Sequence, residues 1–274
     1  MIPCLASAIA WLPAEALEVA VLLRAEGAAG IEAAPGLFDR PLTEVTPRQV
    51  REVRTFWEGE GLPVRAMQAL LFGRPELRLF GTEEERAALA DYLRIVFRVA
   101  GGLGAGPLVF GSPKTRARGE MEPAAAFETA GRFFRQVAKD ADAAGCVLCI
   151  EANAPDYGCD FVTTHEETSR LVKAVATPGF GLQVDTGVMR MNGESPADLA
   201  AILRAADVRP AHVHVSEPFL APVEAATPFH RELAALLENL GYAGAVSVEM
   251  KRPESLPSLR SAVTSARATY GEPQ

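Results

Sequence analysis

Four apolar runs in the C-terminal half of the chain each close on a residue that can hold a metal or move a proton. They read Cys149-Ile150-Glu151-Ala152-Asn153, Leu182-Gln183-Val184-Asp185-Thr186, His212-Val213-His214-Val215-Ser216-Glu217 and Val248-Glu249-Met250-Lys251. A charge closing an apolar strand is costly unless it is paired or faces a cation. Glu151, Asp185, His214 and Glu249 follow one another at the length of one strand–helix–strand unit, roughly 30 residues. If the runs are adjacent strands of one parallel sheet, these side chains project toward one mouth. Three carboxylates and one imidazole form a hard, oxygen-rich set suited to one divalent cation, Mn²⁺ or Mg²⁺ first, with Co²⁺ or Zn²⁺ as further choices. Any one of the four could be a rim residue paired with a local Lys or Arg. Four at equivalent places argue for a shared metal site.

These runs belong to a series of eight: 2–10, 30–34, 63–68, 107–110, 147–151, 181–185, 211–215 and 245–249. Each is followed by a longer stretch with helical signals. Thr46 with Gln49, Thr82 with Glu85 and Thr164 with Glu167 place a capping residue three positions before its partner. Pro196 and Pro228 follow Ser195 and Thr227 at the first helical position. Leu233, Leu236, Leu237 and Leu240 form one apolar helix face, as do Phe127, Phe134, Val137 and Ala138. Gly61, Gly145 and Gly241 stand just past helix ends.

Eight strands alternating with eight helices predict an α/β fold with a parallel sheet and right-handed crossovers. Apolar strands fit a sheet buried on both faces. The count and the length favour a single (β/α)₈ TIM barrel over residues 1–274 rather than an open doubly wound sheet. An open sheet would carry a phosphate-binding glycine turn after its first strand. Gly102-Leu103-Gly104-Ala105-Gly106 instead follows a helix and precedes a strand, so it reads as a helix terminator.

In such a barrel, residues beyond the strand ends meet the substrate. Lys114 and Arg116, in the loop after the fourth run, are candidates for holding a phosphate or carboxylate. His212 shares the inward face of His214 and is a candidate substrate donor. Asn153 and Lys251, just beyond the fifth and eighth runs, are further candidates. Glu32 faces inward and can support the ligands. Trp11 and Phe72 can wall a substrate, and Tyr157 can belong to a lid. His165, in a first helical turn beside Glu166 and Glu167, is expected in solvent, and His230 at the surface or near the mouth.

Composition excludes several classes. The hydrophobic fraction is 49% and the charged fraction 23%, with a formal net charge of −8. Disorder is excluded, and an acidic chain without a basic run lacks a nucleic-acid footprint. Four cysteines are too few for a disulfide scaffold, and Cys146 and Cys149 would diverge on one strand. No apolar run is long enough to span a membrane. Glu15 and Glu18 interrupt the apolar N-terminal stretch, and no Lys or Arg precedes Arg24, which argues against a secretory signal and for a cytoplasmic location.

On these motifs the chain resembles the xylose-isomerase-like superfamily of sugar phosphate isomerases and epimerases. Gly30-Ile31-Glu32, Glu151-Ala152-Asn153, Val184-Asp185-Thr186-Gly187, the His212–Glu217 segment and Gly241-Tyr242 leading to Val246-Ser247-Val248-Glu249 carry the resemblance from end to end. It implies that Glu151, Asp185, His214 and Glu249 hold one divalent cation, and that Glu151 and Glu249 are the catalytic proton shuttles. Many members carry a His three residues after the sixth-strand Asp, where this chain has Val188. The ketose 3-epimerases place an Arg where this chain has Leu220. The implied function is a metal-dependent isomerase or epimerase acting through an enediolate on a small sugar, sugar phosphate or polyol. A dehydratase working from the same enediolate and a non-catalytic metal-binding subunit are the alternatives. An endonuclease-IV-like phosphodiesterase, whose zinc site uses many histidines, is disfavoured by four histidines and the net charge of −8. Self-association into a homo-oligomer stays open.

Overall fold

Alternation along each run decides where its side chains go. On a strand, successive side chains point to opposite faces, so Leu148 and Ile150 share one face, and Cys149 and Glu151 the other. In the computed structural model, which describes residues 1–271, Leu148 and Ile150 join the core between sheet and helices, whereas Glu151 faces the interior of a closed barrel. The strands are β1 (Cys4–Ser7), β2 (Gly30–Ala33), β3 (Val64–Met67), β4 (Pro107–Phe110), β5 (Val147–Glu151), β6 (Phe180–Asp185), β7 (Pro210–Ser216) and β8 (Val246–Glu249). They pair in parallel in chain order, and β8 closes on β1. The run 2–10 yields the shortest strand for its length, because the chain leaves the sheet in a 3₁₀ turn at Ala8–Ala10.

Nine α-helices lie among the described residues: α1 (Ala16–Ala25), α2 (Pro47–Gly59), α3 (Glu83–Leu103), α4 (Pro123–Ala143), α5 (His165–Val175), α6 (Thr186–Met191), α7 (Pro196–Ala206), α8 (Pro228–Asn239) and α9 (Leu256–Tyr270). That is one more than the eight expected. The extra helix, α6, starts with no loop, because Asp185 at the end of β6 is itself its N-cap. The capping boxes at Thr46–Gln49 and Thr82–Glu85 form, and Thr164 accepts the Glu167 backbone N–H. Gly104 ends α3 in the left-handed region at φ 89°, which is the terminator role expected of the 102–106 segment.

An aromatic wedge fixes the strands around β5. Phe134 of α4 packs 5.3 Å from the Phe110 ring and stacks 4.8 Å from Phe180. Such pairs contribute roughly 0.5–1.5 kcal/mol each beyond their burial. The lumen is different in character. TIM barrels usually fill it with bulky apolar layers, but here Ser7, Glu32, Gln183, His212 and Ser247 occupy it, all at most 1% exposed. The four cysteines are free and buried, and burial pushes the Cys149 thiol up to about 12. Among the described residues no helix is long and apolar enough to cross a membrane.

Candidate active site

The register sets the tetrad. Asp185 pairs with His214 across β6 and β7, and Ser216 with Glu249 across β7 and β8. One ligand atom from each of Glu151, Asp185, His214 and Glu249 lies within 4.8 Å of the others. His214 Nδ1 stands 3.1 Å from Glu249 Oε2, 3.4 Å from Glu151 Oε1 and 3.8 Å from Asp185 Oδ2. It is buried and makes a well-formed hydrogen bond with none of them. Among the described residues no Lys or Arg lies within 4.0 Å of these three carboxylates, so they are not a rim paired with local cations. Three clustered carboxylates facing an unpartnered ring nitrogen fit a divalent cation.

Neighbouring groups hold Asp185 and Glu151 in place. Asp185 Oδ1 accepts the Val188 N–H at 2.7 Å, and its Oδ2 accepts the Ser216 hydroxyl at 2.7 Å. The Asp185 N–H donates to His165 Nε2 at 3.4 Å, and His165 Nδ1 bonds Glu194. His165 is therefore buried under the strand end, not in solvent: the first turn of α5 packs against the end of β6. Asn153 Nδ2 donates to Glu151 Oε2 at 2.9 Å and to the Gly111 carbonyl at 2.8 Å. Gly111 leaves room for this carboxylate, since a Cβ there would fall 2.2 Å from Glu151 Oε2. Gly111→Ala should therefore displace the Glu151 carboxylate and lower Mn²⁺ affinity several-fold, measured by chelator competition, while the barrel still unfolds cooperatively. Unchanged affinity would show that Glu151 has room to move.

The electrostatics follow from crowding in a buried site. Burial, then the charges of Glu151 and Glu249, pushes Asp185 up to about 8. Burial alone would lower the His214 pKa, but Glu32 and Glu249 outweigh it and hold the ring well above the usual imidazole range. Burial would likewise raise Glu32, yet His214 and His212 hold it well below the ordinary carboxylate range.

Above the tetrad opens a cavity of about 630 Å³ whose lining includes Glu151, Asp185 and Glu249. Asn153 and Lys114 line it, and Phe72, 86% exposed, stands in its wall. Val188 and Leu220 also face it, so apolar side chains stand where the resemblance implies a His and an Arg. Arg116 does not line it. Its side chain turns inward from the 3₁₀ turn Lys114–Arg116, is fully buried, and donates to the Glu151 carbonyl at 2.5 Å. His212 is 1% exposed and lies below the cavity. The Lys251 side chain is exposed outside the cavity lining, while its N–H donates to the Leu220 carbonyl. His230 is buried, with Nδ1 2.8 Å from the Tyr270 hydroxyl, and Trp11 packs on Trp57.

One cavity residue, Gln68, had little sequence signal, and the lid candidate Tyr157 bridges two loops. Gln68 lines the cavity and donates to Ser7 at 2.8 Å. Tyr157 accepts the Phe219 N–H at 2.8 Å, joining the loops after β5 and β7. A larger open groove of about 1050 Å³ lies among α4, α5 and α7 and contains none of the tetrad.

The fold is a closed parallel TIM barrel with this candidate metal tetrad at its C-terminal mouth. A profile of the xylose isomerase-like TIM barrel family matches residues 20–270, and the chain belongs to that family. No curated protein matches the chain significantly in sequence. Among solved structures, the apo 3-keto-D-glucoside 4-epimerase of E. coli superposes with a TM-score of 0.79 at 17% identity, covering 98% of this chain and 100% of that one. The D-psicose 3-epimerase of Clostridium cellulolyticum H10, solved with D-tagatose, gives 0.79 at 17% identity over 98% and 99% of the two chains. The IOLI protein with a bound zinc atom gives 0.71 at 16% identity over 98% and 96%. At these identities the likeness is one of fold.

Proposed function

We propose that this chain is a single-domain, divalent-metal-dependent isomerase or epimerase of a small sugar, sugar phosphate or polyol. One observation carries the reading. Glu151 and Glu249 come from separate strands, converge on His214 Nδ1, and keep side-chain exposures of 12% and 11% beside the cavity, whereas His214 is fully enclosed. The glutamates can thus meet both a cation and a substrate. A divalent cation bound by Glu151, Asp185, His214 and Glu249 supplies Lewis-acid polarisation of a carbonyl and its neighbouring hydroxyl.

The remaining chemistry belongs to the chain. One glutamate removes the proton next to the carbonyl, and the other side of the site returns it. Asn153 keeps the Glu151 carboxylate oriented through its amide N–H. Lys114 offers a positive charge at the wall for a phosphate or carboxylate. Val188 and Leu220 leave part of the wall without hydrogen-bonding groups, which favours a substrate with fewer hydroxyls on that side than a simple ketose. The fold neighbours solved with D-tagatose and with D-allulose support the same substrate class.

The test is elemental analysis after Mn²⁺ loading, followed by a panel of ketoses, aldoses, keto-polyols and their phosphates in deuterated water. The expected result is about one cation per chain and solvent deuterium at a substrate carbon. Loss of water from the product would identify a dehydratase. A loaded protein with no exchange and no turnover on the whole panel would overturn the enzyme reading in favour of a non-catalytic metal-binding subunit.

A further inference from the structure

The polar lumen below the tetrad has a centre. Glu32 Oε1 lies 3.0 Å from His214 Nε2 and 3.0 Å from His212 Nε2. Glu32 stands on β2 and both histidines on β7, which are not neighbours in the closed order, so the contacts cross the lumen. All three side chains are at most 1% exposed. His212 Nε2 also stands 3.0 Å from the Ser247 hydroxyl.

An ionised carboxylate only accepts hydrogen bonds. Both rings therefore donate to Glu32, and each carries a proton on Nε2. For His214 this leaves Nδ1, the atom that faces Glu151, Asp185 and Glu249, as the nitrogen that can give up its proton and turn its lone pair to a cation. An acceptor behind the ring locks the proton on Nε2 and fixes the ring's orientation. Partners of this kind orient metal-binding imidazoles and raise their basicity, and their loss typically costs 10–100-fold in affinity.

We propose that Glu32 is the positioning residue of the metal centre, and that His212 serves Glu32 rather than the substrate. Glu32 holds His214 in its Nδ1-ligating tautomer and places a further negative charge behind the cation. His212, donating to the same oxygen, braces that carboxylate from one side. The inference rests on the tetrad binding a cation.

The experiment uses the full chain with Zn²⁺ as probe. Chelator competition compares the wild type with Glu32→Gln, an isosteric change that removes the charge, and a thermal melt of each cation-free protein checks folding. Long-range ¹H–¹⁵N spectra of the Zn²⁺-loaded wild type read the tautomer directly, and only four histidines need assignment. The expected result is His214 protonated on Nε2 with a metal-shifted Nδ1, and a Zn²⁺ affinity about 10–100-fold weaker in Glu32→Gln. If the variant fails to fold, the wild-type spectrum decides alone. Metal on His214 Nε2, or equal affinity in a folded variant, would overturn the proposal. So would two Zn²⁺ per chain, since the second would sit among Glu32, His212 and His214 in place of the hydrogen bonds. A wild type that binds no Zn²⁺ brings down the metal centre itself and this proposal with it, a result distinct from a loaded wild type matched by its variant.

Discussion

Glu151→Gln and Glu249→Gln should each lower kcat by about 10²–10⁴-fold, the range general acid–base catalysis contributes. Glutamine keeps an oxygen that can face the cation but has no charge with which to take a proton. Asn153 constrains the outcome at Glu151: its N–H donates to Oε2, and a glutamine oxygen can accept the same bond, so the variant side chain stays in register. Both positions end strands whose outward neighbours remain packed, so the barrel should fold normally. Steady-state rates on the substrate that exchanges solvent deuterium, together with Mn²⁺ content and a thermal melt, make the measurement. The variant lacking the abstracting base should also stop incorporating deuterium. Full activity in either variant removes that glutamate from the mechanism. Turnover by the wild type with no solvent exchange replaces proton transfer by a metal-assisted hydride shift.

His214→Ala should abolish stoichiometric Mn²⁺ loading. It removes the tetrad's one nitrogen ligand and leaves three carboxylates beside a void. In the wild type, metal affinity should rise with pH through neutrality. Without a cation, Asp185 is pushed up to about 8 and His214 is held well above its usual range, so both bind protons near neutrality. A cation must displace those protons. Lowering the pH therefore weakens binding, and raising it strengthens binding as Asp185 and then His214 lose their protons. Titration calorimetry in buffers of different ionisation enthalpy should show proton release on Mn²⁺ binding at pH 7. Retained loading in His214→Ala, or an affinity flat across this range with no proton release, would contradict the assignment of these ligands.

The amino-acid sequence by itself determined the framework and the places of the four candidate ligands. Strand direction has a period of two, so once Leu148 and Ile150 face the helices, Glu151 must face the lumen. Helix starts were legible because caps are local: Thr46, Thr82 and Thr164 act within three residues of themselves. The same locality hid α6, whose cap is the last residue of a strand and so left no loop to mark a boundary.

Only the tertiary structure decided what each loop and lumen side chain does. Lys114 and Arg116 are two residues apart in a 3₁₀ turn. One lines the cavity and the other is buried behind Glu151, a distinction that no strand or helix period encodes. His165, next to two acidic residues in a first helical turn, has the local pattern of a solvated residue. It is buried because Asp185, twenty residues on, brings its N–H to the ring. Glu32 meets its two imidazoles 180 and 182 residues away. Closure of the barrel brings β2 opposite β7, and that juxtaposition depends on all eight strands pairing in order, so no local stretch of sequence contains it.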